Sequence, residues 1–275
     1  MRDKQLACSG LSFSYQKRLT LKDISLSFCK GDFAGLLGPN GSGKSTFLKN
    51  LLGFLKPCGG KIVFADPSAS NLKTRAKHLA FVSQHSGPPS AMTVRDIVLM
   101  GRLPYLEDRW AGYARKDREK VSAALASLGL AELADRNAAS LSGGELQKAL
   151  IARALVQEGD IFLLDEATSG LDLNHAIEIM EIMREKARAE GKTIIAVLHD
   201  LNLASAYCSR LVLLKNGRVL FSGKPEEALS AENIEAVYGI RVPVLKDEKG
   251  RPFVLPCRLP PFFEKPDAAE VDSHV

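Results

Sequence analysis

The chain has 275 residues, of which 45% are hydrophobic and 25% charged, and its formal net charge is +5 at pH 7. This balance is that of a globular protein and excludes a mostly disordered, collagen-like or coiled-coil chain. The charge is mild and aromatic residues make up only 7% of the chain, so no nucleic-acid partner is expected.

Targeting signals are not evident in the sequence. No apolar run approaches the ~18 residues that a membrane-spanning helix requires. Residues 1–15 do not contain the apolar stretch of a secretory signal, and a cytoplasmic location is therefore expected. The five cysteines are scattered without a CxxC spacing, which favours reduced thiols over a metal site.

The first part of the chain predicts strands followed by a helix. Alternating apolar residues at 11–15 and 24–28 are typical of half-buried strands. A short apolar run at 33–37 stops at a glycine-rich turn, and residues 44–54 then have the pattern of a helix.

A second group of elements predicts a strand–helix–strand unit further along the chain. The runs 161–164 and 194–198 are continuously apolar, as in strands that are covered on both faces of a parallel sheet. Between them an apolar stripe at helical spacing is formed by Ala176, Ile179, Met180 and Met183. The fold class predicted is therefore α/β.

Residues 88–138 have a different, all-helical pattern. Thr93 and Asp96 resemble a capping box, and Gly101 is expected to end that short helix. A second helix, ending at Gly129, would bury Val121, Leu125 and Leu128 on one side.

These patterns predict three parts of the chain. The core would comprise 1–87 and 139–225, with 88–138 inserted into it as a helical segment. Residues 226–275 would form a C-terminal extension, with a small helix at about 226–238 and an irregular tail that is mobile at its end.

A glycine-rich motif follows the strand at 33–37 and opens the helix after it. It has the pattern GxxxxGK[ST] and comprises Gly38, Pro39, Asn40, Gly41, Ser42, Gly43, Lys44, Ser45 and Thr46. The glycines let backbone N–H groups turn toward phosphate oxygens, and the helix N-terminus adds its positive dipole. Lys44 can reach the β- and γ-phosphates, while the Ser45 hydroxyl can ligate Mg²⁺.

Two carboxylates, Asp165 and Glu166, follow the apolar run 161–164. Ligands of open α/β sheets lie beyond the carboxyl ends of the strands, the edge at which the phosphate loop is also expected. Asp165 can then belong to the Mg²⁺ shell, and Glu166 can orient or deprotonate a water in line with the γ-phosphate.

The segment Ser142, Gly143, Gly144 and Glu145, preceded by Leu141, predicts a second helix start. Ser142 and Glu145 form a capping box. Two glycines in a first helical turn each cost about 1 kcal/mol, but they would let a phosphate approach the backbone N–H groups closely. One nucleotide per chain does not readily explain two such sites.

A phosphate loop, an LSGGE segment and an apolar run ending in Asp-Glu, in this order, resemble the ATPase subunit of an ABC transporter. The resemblance covers about residues 5–255 and implies a P-loop NTPase core with a parallel-rich sheet, an N-terminal antiparallel β subdomain and an all-helical insert. It also implies ATP and Mg²⁺ as cofactors. Two such subunits pair head to tail, so that the LSGGE helix of one closes on the γ-phosphate held by the other.

The resemblance assigns further residues by position. Tyr15 stands where the family stacks an aromatic ring on adenine, and Gln84 where a glutamine meets Mg²⁺ and the attacking water. Asp172 belongs to the loop that crosses the dimer interface. His199 matches the γ-phosphate histidine, and Glu166 matches the catalytic glutamate.

Within the family, segments 93–105 and 199–204 resemble a branch that powers bacterial uptake of iron–siderophores, haem and cobalamin. This implies a polytopic membrane permease that contacts the helical insert, and indirectly a periplasmic substrate-binding protein. It places the chain as a peripheral subunit on the cytoplasmic face of the inner membrane. The alternatives are a soluble ATPase of the same fold, as in iron–sulfur cluster assembly, and a nucleotide-binding regulator that does not hydrolyse ATP.

Overall fold

The computed structural model of the chain describes residues 3–16, 18–83, 92–106 and 112–257. The strands are β1 (Lys4–Tyr15), β2 (Arg18–Cys29), β3 (Phe33–Leu37), β4 (Gly59–Phe64), β5 (Leu79–Val82), β6 (Ile161–Asp165), β7 (Thr193–Val197), β8 (Arg210–Lys215), β9 (Arg218–Gly223), β10 (Val244–Lys246) and β11 (Pro252–Val254). The helices are α1 (Lys44–Leu52), α2 (Leu72–Arg75), α3 (Val94–Leu99), α4 (Arg115–Ser127), α5 (Gly143–Val156), α6 (Leu173–Glu190), α7 (Leu201–Tyr207), α8 (Pro225–Ala228) and α9 (Ala231–Tyr238). Among the described residues, no helix is both long enough and apolar enough to cross a bilayer.

The main sheet has the strand order β5-β6-β7-β3-β8-β9 over the described residues. Its first five strands pair in parallel, and β9 adds an antiparallel edge. Every residue of β3, β6 and β7 is buried, which is the pattern expected of parallel strands covered on both faces. The α/β prediction is confirmed, and the strand–helix–strand unit is β6-α6-β7.

A second sheet, with the order β2-β1-β4, is antiparallel throughout. It is the N-terminal β subdomain that the family resemblance implies. Its alternating burial directs Leu11, Leu21 and Phe28 inward, each less than 2% exposed. These side chains form one core with Phe47 of α1 and Leu36 of β3, so the subdomain covers the face of the main sheet on which α1 lies.

The opposite face of the main sheet is covered by α5, α6 and the helices between residues 92 and 140. Side chains along β3 point to alternate faces of the sheet. Phe33 and Leu37 pack in the core on this face, and Leu36 packs in the core on the face that the β subdomain covers. The stripe of Ala176, Ile179, Met180 and Met183 on α6 is buried as predicted.

The described part of 88–138 contains α3, α4 and 3-10 turns, of which one spans Met100–Tyr105. Thr93 caps α3 in a full capping box with Asp96. The prediction that Gly101 ends this helix is wrong, because the chain continues into the 3-10 turn. A Cβ at position 101 would lie 2.1 Å from the Arg153 carbonyl oxygen, so the glycine permits close approach of α5.

The C-terminal part differs from the predicted single helix and irregular tail. The helical segment is split at Leu229 (φ −94°, ψ 53°) into α8 and α9, and Ser230 caps the second. Strands β10 and β11 then form an antiparallel hairpin. The expectation of a mobile end concerns residues beyond 257, outside the described residues.

Candidate nucleotide-binding site

Three neighbouring strands bring the predicted site together. The strands are adjacent in the order β6-β7-β3. Strand β6 ends at Asp165, just before Glu166; β7 ends two residues before His199; and β3 ends at the phosphate loop. Because the strands are parallel, all three carboxyl ends lie at one edge of the sheet, where open α/β folds bind ligands.

The phosphate loop has a backbone that glycine makes possible. Gly38, Gly41 and Gly43 have φ values of 147°, 76° and 106°, in the region that other residues rarely adopt. A Cβ on Gly38 would lie 2.1 Å from the Leu214 carbonyl oxygen, and one on Gly41 would meet no described atom within 4 Å. The first glycine is therefore required by packing, whereas the side of the loop at Gly41 is open for a ligand.

Lys44 opens α1 and is 5% exposed. Its Nζ donates to the carbonyl oxygens of Gly38 and Pro39, at 2.7 and 3.1 Å, and so closes the loop on itself. Burial lowers the pKa of Lys44, and the nearby carboxylates of Glu166 and Asp165 oppose this shift. An incoming polyphosphate would compensate the buried charge in the same way.

Ser45 and Asp165 face each other from α1 and β6. The Ser45 hydroxyl donates to Asp165 Oδ1 at 2.7 Å. Burial raises the pKa of Asp165, against the lowering effect of the Ser45 hydrogen bond. A buried carboxylate beside a hydroxyl provides the oxygen ligands that Mg²⁺ prefers, and a cation here would favour the ionised carboxylate.

The side chains of Glu166 and His199 lie within hydrogen-bond distance, with 2.8 Å between Oε1 and Nε2. The Glu166 side chain is 14% exposed and that of His199 is 41% exposed. Glu166 has a φ of 55°, an uncommon left-handed conformation for a residue other than glycine. The turn after β6 thus holds its carboxylate at the cleft and against the imidazole.

His199 lines a cavity of about 370 Å³ that Glu166 also borders. Glu166 and the phosphate loop border a cleft of about 540 Å³. Residues Asn40 to Thr46 form its floor, Glu166 lies on one side, and Tyr15 lies at the rim with 45% of its surface exposed. The lining also includes Arg18, Lys22 and Asn216, which sequence reasoning missed. No local motif marks these three positions, since only the fold brings β2 and the β8–β9 turn to the loop.

The segment 142–145 starts α5, and its capping box is present. Ser142 N donates to Glu145 Oε2 at 2.8 Å, and Glu145 N donates to Ser142 Oγ at 3.3 Å. As far as the described residues go, the lining of the nucleotide cleft includes none of this segment. A Cβ on Gly143 would meet no described atom within 4 Å, so the backbone is open at Gly143, whereas a Cβ on Gly144 would lie 2.8 Å from the His175 ring.

Asp172 caps α6 and lies outside the lining of the cleft. Its Oδ1 accepts from the His175 backbone N at 2.9 Å, and this bond helps to hold the pKa of Asp172 below its usual range. Gln84 lies outside the described residues.

The arrangement fits a Mg²⁺-nucleotide. The open glycine loop, the buried ammonium group of Lys44 and the Ser45–Asp165 oxygen pair supply the contacts that phosphates and a hard cation need.

The fold and this site define a P-loop ATPase. Residues 21–169 match the family described as ABC transporter. The chain belongs to the ABC transporter family, whose ATP-binding members hydrolyse ATP to drive transport, and it is an ATPase of that family.

Two curated relatives and one solved structure show which members it is similar to. YusV of Bacillus subtilis, named a probable siderophore transport system ATP-binding protein, is 38% identical over 91% of this chain and 92% of its own. The ferric enterobactin transport ATP-binding protein FepC of Escherichia coli is 36% identical, and the alignment covers 90% of this chain and 92% of FepC. The solved structure is the inward-facing conformation of an ABC transporter described as putative metal-chelate type. It matches with a TM-score of 0.82 and 31% identity, and the match covers 93% of this chain and 98% of that chain.

Proposed function

We propose that this chain is the ATP-hydrolysing motor subunit of a bacterial importer for iron–siderophore complexes or the related chelates haem and cobalamin. The observation that carries the ATPase part is the Glu166–His199 pair, 2.8 Å apart at the edge of the sheet that holds the phosphate loop. The siderophore and enterobactin transport roles in the names of its relatives support the substrate class.

In this proposal the phosphates of ATP lie over residues 38–46, and adenine stacks on Tyr15. Lys44 binds the β- and γ-phosphates. Glu166 accepts a hydrogen bond from the attacking water and orients it, and His199 holds both the Glu166 carboxylate and the γ-phosphate. The distance of 2.8 Å between Glu166 Oε1 and His199 Nε2 supports a site in which both side chains act on the same γ-phosphate and water.

Magnesium, when bound, would neutralise part of the charge that develops on the phosphates. Ser45 and Asp165 would hold it, and by resemblance Gln84 as well. The raised pKa of Asp165 makes this carboxylate costly to ionise without a cation, which supports its role as a ligand.

The second phosphate-binding helix start implies a second copy of the chain. The start of α5 does not line the cleft of its own subunit, and in this proposal it closes on the nucleotide of the partner. Asp172 would contribute to the same site across the interface. The open space in front of Gly143 supports this arrangement.

A groove of about 330 Å³ is proposed as the binding site of the permease. It lies between the core and the described part of 88–138, and its apolar rim includes Phe54, Leu72 and Leu103, which are 68%, 63% and 50% exposed. A cytoplasmic helix of a polytopic permease fits such a groove, with one apolar face buried. The chain would then be peripheral on the cytoplasmic face of the inner membrane, and the periplasmic binding protein would act on it only through the permease.

The substitution Glu166→Gln tests the proposed ATPase mechanism. Gln keeps the shape of the side chain but removes the negative charge that orients the water. We expect a loss of ATP turnover of at least about a hundredfold with nucleotide binding retained, because a general base contributes about 10²–10⁴-fold. We also expect the variant to form a stable ATP-dependent dimer, measured by sedimentation velocity. Unchanged turnover would contradict the assigned mechanism.

A further inference from the structure

The starts of α5 and α6 are joined by the side chain of His175. Its Nδ1 lies 2.8 and 2.9 Å from the two carboxylate oxygens of Asp172. The Asp172 carboxylate can only accept here, since its pKa is lowered and it is ionised at neutral pH, so Nδ1 carries the proton. The imidazole therefore fixes the Asp172 side chain as a hydrogen-bond donor.

The same ring covers the second glycine of the signature segment. A Cβ on Gly144 would lie 2.8 Å from His175 Cδ2 and Cγ, closer than a side chain tolerates. The ring thus occupies the space directly above the Gly144 Cα. Gly144 is required for packing against α6, in addition to any contact with a phosphate.

A second link lies one turn further along both helices. Lys148 of α5 pairs with Glu178 of α6, at 2.8 Å between Nζ and Oε2, and the Lys148 side chain is only 15% exposed. Residues three and four apart lie on one face of a helix, so both links join the same faces of α5 and α6. Residues 142–145 and the Asp172 turn are therefore held in one arrangement.

We propose that His175 is a positioning residue that locks the Asp172 turn to the start of the signature helix, so that both reach the nucleotide of a second copy in register. The inference rests on the proposed head-to-tail dimer, since both segments lie outside the lining of their own cleft. In this role His175 does not itself bind the nucleotide. It acts through Asp172 with its Nδ1 proton and through Gly144 with its ring.

Two substitutions separate the proton from the ring. His175→Phe keeps an aromatic ring over Gly144 and removes the donor to Asp172. His175→Asn places an amide nitrogen near the position of Nδ1 and keeps the donor. Glu181→Gln, further along α6 on an exposed side chain, is the matched control.

The experiment is made in the Glu166→Gln background on the full chain. The ATP concentration at half-maximal dimer formation is measured by sedimentation velocity, and nucleotide binding to the dilute monomer is measured with a fluorescent ATP analogue. We expect His175→Phe to raise the half-maximal ATP concentration about tenfold, the effect of losing one charge-assisted hydrogen bond. Binding to the monomer should be unchanged in every variant. His175→Asn keeps the donor but loses the ring over Gly144, so its half-maximal ATP concentration should rise less than that of His175→Phe, and the control should stay within about twofold of the parent.

The possible outcomes separate the two proposals. If the parent dimerises with ATP and His175→Phe does so at the same concentration, the role of His175 is overturned. Equal losses in the Phe and Asn variants, with a lowered unfolding midpoint in both, would assign His175 a purely structural role and also overturn the proposal. A parent that stays monomeric at saturating ATP would overturn the proposed dimer, and with it the role of His175.

Discussion

At the scale of single residues, the site depends on side chains that the fold holds in costly conformations. Glu166 adopts a left-handed φ of 55°, and Lys44 keeps its ammonium group buried. The backbone conformation of Glu166 costs of order 1–3 kcal/mol and persists where the surrounding structure fixes it, whereas the cost of Lys44 is the desolvation of its charge. Here β6 fixes the backbone of Glu166 and the contact with His199 fixes its side chain, while the carbonyl oxygens of Gly38 and Pro39 hold Lys44.

Tyr15 provides a test of adenine binding at this scale. Its ring lies at the rim of the cleft and packs edge-to-face on Phe13, with 4.8 Å between ring centroids. We expect Tyr15→Ala to weaken ATP binding about tenfold, because base–aromatic stacking is worth about 1–3 kcal/mol per base. Tyr15→Trp should retain ATP binding. Tyr15→Ala should weaken GTP binding as much as ATP binding, because stacking makes no hydrogen bonds to the edge of the base.

The measurement is nucleotide affinity by equilibrium titration with each variant. Leu220→Ala, an equally exposed apolar residue on β9 outside the lining of the cleft, is the control and should bind ATP like the unmodified chain. An affinity unaffected by Tyr15→Ala would remove Tyr15 from the site.

Sequence reasoning found the residues of this site that belong to contiguous motifs. Lys44, Ser45 and Asp165 were predictable because a glycine-rich loop and a strand-end carboxylate have recognisable local patterns. Asn216 and His175 were not, because their roles arise only when distant turns meet. The predicted roles of individual site residues stay predictions until variants are measured.

At the scale of elements, a buried ion-pair network joins the 3-10 turn Met100–Tyr105 to α4 and to the end of α5. Arg102 Nε donates to Asp117 at 2.8 Å, and Nη1 donates to the Val156 carbonyl oxygen at 2.6 Å and to Glu158 at 2.9 Å. The side chains of Arg102 and Asp117 are 3% and 5% exposed. The network also satisfies a carbonyl at the C-terminus of α5 that has no partner within the helix.

Asp117→Asn tests the energetic contribution of this network. Burial disfavours the ionised carboxylate, but its hydrogen bonds with Arg102 and the Ala114 backbone N–H outweigh that effect and lower the pKa of Asp117. The stabilisation is therefore present at neutral pH and is lost as the pH falls through the lowered value. We expect Asn to reduce the free energy of unfolding at pH 7 by about 1–3 kcal/mol, because it removes one charge-assisted hydrogen bond of the buried Arg102, which keeps Glu158 and the Val156 carbonyl oxygen.

Urea denaturation measures this difference, with the exposed pair Arg95–Asp135 as control. The Asp135 side chain is 81% exposed, and Asp135→Asn should leave the unfolding midpoint close to that of the unmodified chain, because solvent screens an exposed pair. Equal effects of the two substitutions at neutral pH would contradict the account of the buried network.

Elements with long periodic patterns were predicted well, and short ones were not. The buried strands β3, β6 and β7 and the stripe of α6 followed from continuous or helical apolar spacing. Strands β10 and β11 have only three residues each, too few for a period to be recognised. The position of the break between α8 and α9 is set by the backbone at Leu229, which has no strong local signal in the sequence.

At the scale of the whole molecule, the two cores explain how nucleotide chemistry could reach a membrane partner. One core joins the β subdomain, α1 and one face of the main sheet, while the other joins the opposite face to α5, α6 and the helices of 92–140. The proposed permease groove lies where these parts meet, with Phe54 and Leu79 on one side and Leu103 on the other. A change in the cleft that shifts one part against the other would therefore alter this groove.

The most direct test of the central claim is recovery of the chain with a polytopic permease from native membranes in mild detergent, with bound proteins identified by mass spectrometry. We predict that the tagged chain recovers a permease of the metal-chelate class, and that Phe54→Asp with Leu103→Asp abolishes this recovery while ATP binding is retained. Leu245→Asp, at a 52% exposed apolar residue outside the groove, should leave recovery unchanged. The account would be contradicted if only soluble partners were recovered. It would also be contradicted if the variant with both groove substitutions recovered as much permease as the unmodified chain.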